Sequence, residues 1–277
     1  MFKDIFRLLR VRQWLKNILL FFPIFFSGHF IEIEKLEKVF ISFISFSLLA
    51  SACYIINDIK DIKSDKQHPK KCQRPIASGK VSKNTGFMIF IFLFGLSFSI
   101  STATDTELSL INLLYFANVM LYTYLLKKIP YVDVIFISIG FILRLYAGAV
   151  HIKINLSIWL IVMTFLVAMM LGLGKRYEDI IKCPDTRHFI FNYDKSVTKI
   201  LLFSSGFSAI IIFGFYLFFH NYFSIPLLMV SSILIVNYIH SALVKLKGEP
   251  TDFFTSNIFN ILMLLLWGAI FYFRIYE

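Results

Sequence analysis

The sequence predicts an all-α, polytopic membrane protein of about nine transmembrane helices, forming one domain over residues 1–277. Hydrophobic residues make up 58% of the chain and charged ones only 16%, a balance outside that of soluble domains. Apolar runs long enough to cross a bilayer, about 17–25 residues each, recur along the whole length. Of the 28 Lys and Arg residues, 23 fall in alternate connections. That bias marks cytoplasmic loops and is not the clustered patch of a nucleic-acid binder.

From the N-terminus, the basic stretch Met1 to Asn17 leads into an apolar run at 15–31 that Pro23 interrupts. No small-x-small pattern follows Phe26, so the run is expected to stay as a first helix and not to be cleaved as a signal peptide. Further runs lie at 39–56, 86–102, 108–126, 132–150, 156–174, 200–219, 222–240 and 257–274. The connections alternate between long charged ones and short ones such as Thr104-Asp105-Thr106. By the positive-inside rule the N-terminus is cytoplasmic and the C-terminus outside. The two longest charged loops follow the second and sixth runs, and lysine pairs follow the fourth and eighth, an offset of about 120 residues. This predicts two four-helix pseudo-repeats plus one helix. Cys53, Cys72 and Cys183 stand apart, without CxxC spacing, and imply neither a disulfide nor a zinc site.

Candidate chemistry concentrates on the long cytoplasmic loops. Asn57-Asp58-Ile59-Lys60-Asp61-Ile62-Lys63-Ser64-Asp65 places three carboxylates and an amide at the end of an apolar run. If the preceding helix continues, Asn57, Asp58, Asp61 and Asp65 fall within roughly a 100° arc. Hard oxygen donors on one face suit Mg²⁺, with Mn²⁺ as the alternative, and Mg²⁺ commonly shares its shell with substrate phosphates. The plain alternative is a solvated helix end whose acids pair with Lys60, Lys63 and Lys66.

The turn-rich stretch from His68 to Gly79 follows, where Pro75 restricts Arg74 and favours it as a phosphate ligand, while Lys70 and Lys71 read as interfacial positives. Tyr122 is placed to donate to a leaving group and Lys127 to meet phosphate, on either side of the turn before Asp133. Arg144 lies inside a run, where a charge is a functional-site hypothesis by default. It binds a substrate anion, pairs with a carboxylate, or snorkels outward. The second long loop begins Gly174-Lys175-Arg176-Tyr177-Glu178-Asp179 and continues through Asp185, Arg187, His188, Tyr193 and Asp194. Its acids are candidates for a second metal, and Lys175 and Arg176 for a phosphate clamp.

Asn57 to Asp65 resembles the first aspartate-rich motif of the UbiA superfamily of intramembrane prenyltransferases. The likeness extends to Arg10-Val11-Arg12-Gln13-Trp14-Leu15-Lys16-Asn17, to Arg74-Pro75-Ile76-Ala77-Ser78-Gly79, to Leu126 through Asp133, to Gly140 through Arg144 with Gly148, and to Gly174 through Glu178. The resemblance implies a nine-helix membrane fold with a cytoplasm-facing, Mg²⁺-dependent site. A second D-x-x-x-D motif is usual in that superfamily, and Asp179 and Asp185 lack its spacing. The departure favours a phosphoribosyl-transferring branch, which implies phosphoribosyl pyrophosphate as donor and a polyprenyl phosphate of decaprenyl type as acceptor, in the bacterial inner membrane and for cell-envelope glycolipid precursors.

On that reading Asp58 and Asp61, with Asn57 and Asp65, hold the metal, and Asp61 or Asp65 takes up a proton where needed. Lys16, Asn17, Arg74, Lys127, Arg144, Lys175, Arg176 and Tyr177 bind substrate, and Tyr122 assists the leaving group. The rivals are a prenyltransferase that moves an isoprenoid from its diphosphate to an aromatic acceptor, and a cation transporter. The transporter fits less well, because the acids sit at the rim and not at the bilayer midplane.

Overall fold

Within hydrocarbon every backbone N–H and C=O must be satisfied by the chain itself, so long apolar runs close as helices. The computed structural model describes residues 2–68, 71–182, 193–221, 224–250, 253 and 257–277. Lys70, Cys183, Asp185, Arg187 and His188 lie outside the described residues. Helix α1 (Phe2–Leu9) is followed by a 3₁₀ segment (Val11–Phe21) and the short α2 (Phe22–Phe26). Next come α3 (Ile33–Lys60), α4 (Ile62–Gln67) and a single 3₁₀ turn (Lys71–Gln73). The remaining helices are α5 (Lys83–Thr104), α6 (Thr106–Leu121) with a π-helical end (Tyr122–Leu126), α7 (Val132–Val150), α8 (Ile158–Lys182), α9 (Lys195–Phe219), α10 (Ile225–Leu243) and α11 (Ile258–Tyr276).

Among the described residues eight helices, α3 and α5 to α11, are long and apolar enough to cross a membrane. Caps begin several of them where the sequence changes character. Ser82 accepts from the Thr85 N–H at 3.0 Å, Asp105 from Glu107 at 2.7 Å and Asp194 from Val197 at 2.8 Å.

The apolar run at 15–31, expected as a single helix, is built in two pieces. An eleven-residue 3₁₀ segment is followed by α2, which begins at Phe22 and carries Pro23 in its first turn. A 3₁₀ run this long is unusual, and tertiary bonding accounts for it. With three residues per turn, Trp14, Asn17 and Leu20 lie in one row. Trp14 Nε1 donates to Ser51 Oγ at 2.9 Å, Asn17 Nδ2 donates to Ser47 Oγ at 2.9 Å, and Leu20 is fully buried. Ser47 and Ser51 are four apart on α3, so a three-residue period on one element meets a four-residue period on the other.

The chain divides into two compact units. The first comprises residues 1–126 and 143–156. In it α3 packs along α5, with buried Leu20, Phe46, Leu49, Leu108, Tyr115 and Ala147 at the centre. Ser45 and Ser97 exchange bonds of 3.0 and 2.8 Å to each other's backbone carbonyls. Small hydroxyl residues of this kind let membrane helices approach closely. The second unit comprises residues 127–142 and 157–277. In it α8 packs on α9 and on α10, around Val134, Met170, Leu173, Leu202 and Tyr238.

Candidate functional site

In the first unit the acidic motif lies across a break in the helix. Helix α3 ends at Lys60, Asp61 takes φ −94° and ψ 7°, and α4 begins at Ile62. The continuous helix assumed from the sequence is therefore replaced by two helices. The hydrogen-bond ladder nonetheless bridges the break, Asp61 N to Asn57 O at 2.9 Å and Asp65 N to Asp61 O at 2.8 Å. Asp58 and Asp65 consequently remain on one side, 2% and 3% exposed. Both accept from the same nitrogen, Arg74 Nη1, at 3.0 Å and 2.6 Å. Arg10 adds a second guanidinium on Asp58 and lies 4.9 Å from the centre of the Tyr54 ring. Its backbone is left-handed, at φ 51° and ψ 45°, a conformation a non-glycine residue keeps only when its surroundings hold it. Burial lowers the Arg10 pKa, against the pull of Asp58.

Asn57 faces the π-helical end of α6, where Thr123 Oγ1 donates to its Oδ1 at 3.4 Å. Such π-bulges are frequent at functional sites. Tyr122 opens this turn and Lys127 follows it, both half-buried.

A second buried constellation in this unit joins Arg144 to the N-terminal segment. Arg144 is 5% exposed; Nε donates to Asn17 Oδ1 at 2.8 Å and Nη2 to the Tyr115 hydroxyl at 3.1 Å. The guanidinium also lies 5.0 Å from the Tyr115 ring centre and 5.3 Å from that of Phe46. Of the three readings of Arg144, outward snorkelling is thereby excluded. Lys16, next to Asn17, is half-buried.

In the second unit Arg176 holds one oxygen of Asp133 with two nitrogens, Nε and Nη2 to Oδ2 at 2.7 and 2.6 Å, and reaches Asp179 at 3.3 Å. The Tyr193 hydroxyl donates to Asp133 and accepts from the Tyr131 N–H at 3.0 Å. Burial and the Asp133 carboxylate raise the Tyr193 pKa. Lys175 Nζ lies 3.1, 3.5 and 3.6 Å from carboxylate oxygens of Glu178, Asp179 and Glu249. Tyr177 is 7% exposed. Glu178 also accepts from the Gly248 N–H at 3.0 Å, which ties the loop after α10 to α8.

The sequence-predicted residues thus gather in groups. Asp58, Asp65 and Arg74 meet, with Asn57 and Asp61 beside them on the same turn of chain. Asn17 meets Arg144, and Lys175 and Arg176 share a carboxylate network. Among the described residues no three acidic, His or Cys side chains are grouped to hold a metal, because Asp58 and Asp65 turn onto guanidinium groups. The donor set still fits a hard divalent cation, since it is all oxygen and two of its carboxylates already flank a positive charge. Tyr115 and Glu249 escaped sequence reasoning, and Arg10 was read only as part of a family-like stretch, without a role in the site. Arg10 lies 48 residues from Asp58 and was hidden among topology-setting positives, while Tyr115 is one aromatic in an apolar run.

Long apolar helices that carry buried carboxylate–guanidinium clusters define an integral membrane protein. The UbiA prenyltransferase family model matches residues 20–261, and the chain belongs to that family; it is a transferase. It is 29% identical to the decaprenyl-phosphate phosphoribosyltransferase of Mycobacterium tuberculosis over 94% of this chain and 90% of that protein. The protein of the same name from Mycolicibacterium smegmatis is 29% identical over 76% of this chain and 68% of its own length. Among solved structures, a UbiA homolog from Archaeoglobus fulgidus bound to GPP and Mg²⁺ has the same fold, with TM-score 0.71, 18% identity, and coverage of 99% of this chain and 100% of that one.

Proposed function

We propose that the protein transfers a 5-phosphoribosyl group from phosphoribosyl pyrophosphate to a polyprenyl phosphate of decaprenyl type, with Mg²⁺, at the cytoplasmic face of the bacterial inner membrane. The product would serve cell-envelope glycolipid synthesis. The names and near-complete coverage of the mycobacterial relatives support the choice of donor and acceptor. The observation that carries the chemistry is the meeting of Asp58 and Asp65 within 3.0 Å of one guanidinium nitrogen. A cation of the kind that binds phosphate and oxygens of the kind that bind a metal thus meet, which supports this reading.

Asp58 and Asp65, with Asn57 and Asp61, would hold the ion. Bound Mg²⁺ supplies neutralisation of the diphosphate leaving group. Arg10 fixes the Asp58 carboxylate, and Arg74 and Lys16 supply positive charge for the phosphates. Arg144 and Asn17 orient the acceptor end of the site, while Tyr122 donates to the leaving oxygen. Lys127, Lys175, Arg176 and Tyr177 are further candidates for substrate binding. An acceptor phosphate oxygen forms the new bond to the anomeric carbon as the bond to pyrophosphate breaks, with inversion and an oxocarbenium-like transition state. A phosphate monoester is already anionic near neutral pH, so no strong base is needed; Asp61 or Asp65 accepts the proton of a monoprotonated acceptor.

Purified protein supplied with Mg²⁺, polyprenyl phosphate and labelled phosphoribosyl pyrophosphate should put label into the lipid phase. Asp58→Asn or a chelator should abolish it. Undiminished transfer in Asp58→Asn would overturn the assignment of the acidic motif. The second reading, isoprenoid transfer to an aromatic acceptor, is favoured by the prenyl diphosphates and Mg²⁺ bound to the archaeal structures.

A further inference from the structure

We propose that Arg74 is a resident cation that competes with the divalent ion for Asp58 and Asp65, leaves them when the ion binds, and carries its guanidinium to the donor's diphosphate. The inference rests on the cation reading of the acidic motif given above. Arg74 Nη1 contacts Asp58 Oδ1 at 3.0 Å and Asp65 Oδ2 at 2.6 Å, so one nitrogen spans both carboxylates. A divalent ion drawing on those oxygens would stand within a few ångströms of a fixed positive charge, and the repulsion at such a separation is severe in a partly buried site. Either the ion binds weakly or the guanidinium moves away.

The surroundings favour movement of the side chain on a fixed backbone. The Arg74 carbonyl accepts from the Ser78 N–H at 2.8 Å, its own N–H donates to Lys71 O at 2.9 Å, and the Val81 N–H bonds to Pro75 O at 3.0 Å. Gly79, at φ 78°, closes this turn in a conformation suited to glycine. The Arg74 side chain is 23% exposed and so has an open side to swing towards. Arg10 is seated differently, bonded to Asp58 and against the Tyr54 ring, and remains to hold Asp58 after the exchange. A freed guanidinium beside a bound ion is suited to bidentate capture of a phosphate. Ion binding and phosphate binding are thereby coupled through one side chain.

The test is Mn²⁺ binding to the purified full-length protein in detergent, followed by electron paramagnetic resonance, with Mn²⁺ alone as the probe. Arg74→Gln is expected to bind Mn²⁺ at least about tenfold more tightly than wild type, Arg74→Lys to fall between them, and Arg10→Gln to gain less than Arg74→Gln. Equal or weaker binding in both Arg74 variants, or equal gains at Arg10 and Arg74, would overturn the proposal. Wild type supplies a readout that needs no variant. Phenylglyoxal modification of Arg74, quantified by peptide mass spectrometry, should rise when Mg²⁺ is added, and unchanged reactivity counts against the exchange. Wild-type Mn²⁺ binding that Asp58→Asn and Asp65→Asn abolish, without tightening in the Arg74 variants, removes the Arg74 role and keeps the cation reading. Absence of Mn²⁺ binding in wild type and Arg74→Gln alike removes both.

Discussion

Gly148 sits where α7 crosses the 3₁₀ segment, and replacing it with alanine tests how the N-terminal segment is held. A Cβ at Gly148 would lie 2.7 Å from the carbonyl carbon and 2.8 Å from the Cα of Leu20, and closer still to the carbonyl oxygen. These are backbone atoms, so no rotamer change relieves the overlap and the whole segment must move. Overpacking of this kind costs about 1–3 kcal/mol. The shift also pulls Asn17 from Arg144, a bond of 2.8 Å to a buried charge, worth about 1.5–3 kcal/mol. Gly148→Ala should therefore lose roughly 2.5–6 kcal/mol by these two contributions, read as a lower unfolding midpoint in detergent, with transfer activity falling as Lys16 and Asn17 are displaced. Gly95→Ala in α5 is the matched control, since nothing lies within 4 Å of its Cβ. It should be neutral or gain about 0.5–1 kcal/mol from helix propensity. A Gly148→Ala protein as stable as the Gly95→Ala one would refute the argument.

Other predictions address the two units and the orientation. Tyr193→Phe removes the hydroxyl donor from buried Asp133 and should destabilise by about 1–3 kcal/mol in detergent denaturation. Lys153→Ala should cost little stability at neutral pH, because Lys153 is largely exposed where it meets Asp105 and Glu107. For Asp105, burial pushes the pKa up, but the bonds from Lys153 and from the Glu107 N–H outweigh it and hold the carboxyl below its ordinary value. The contribution of that pair is complete above the unfolded-state pKa and disappears as pH falls through the lower folded-state value. The gap between wild type and Lys153→Ala should accordingly close below about pH 4. In a Cys183→Ser background, a membrane-impermeant maleimide should label Cys72 from the cytoplasmic side and leave buried Cys53 unmodified; labelling of Cys72 from the outside only would reverse the proposed orientation.

Helix positions were legible because hydrophobic length is a strong signal in a membrane chain. The run expected at 132–150 coincides with α7, and that at 257–274 differs from α11 by one residue at its start and two at its end. The first run misled because composition cannot separate an α-helix from a 3₁₀ segment held by Trp14 and Asn17. The break at Asp61 was equally hidden, since no Gly or Pro marks it. For the candidate site, the acidic motif and Arg74 were visible because they lie close in sequence. Arg10 and Tyr115 are brought to Asp58 and Arg144 only by tertiary packing, across 48 and 29 residues.

The central claim is most directly tested by offering the purified protein a choice. Phosphoribosyl pyrophosphate, a prenyl diphosphate, a polyprenyl phosphate and an aromatic acceptor are supplied together with Mg²⁺, and the lipid extract is analysed by mass spectrometry. The account predicts polyprenyl phosphate heavier by one phosphoribosyl group, with pyrophosphate released in equal amount and neither product formed by Asp58→Asn. A prenylated aromatic product with unaltered polyprenyl phosphate would contradict it.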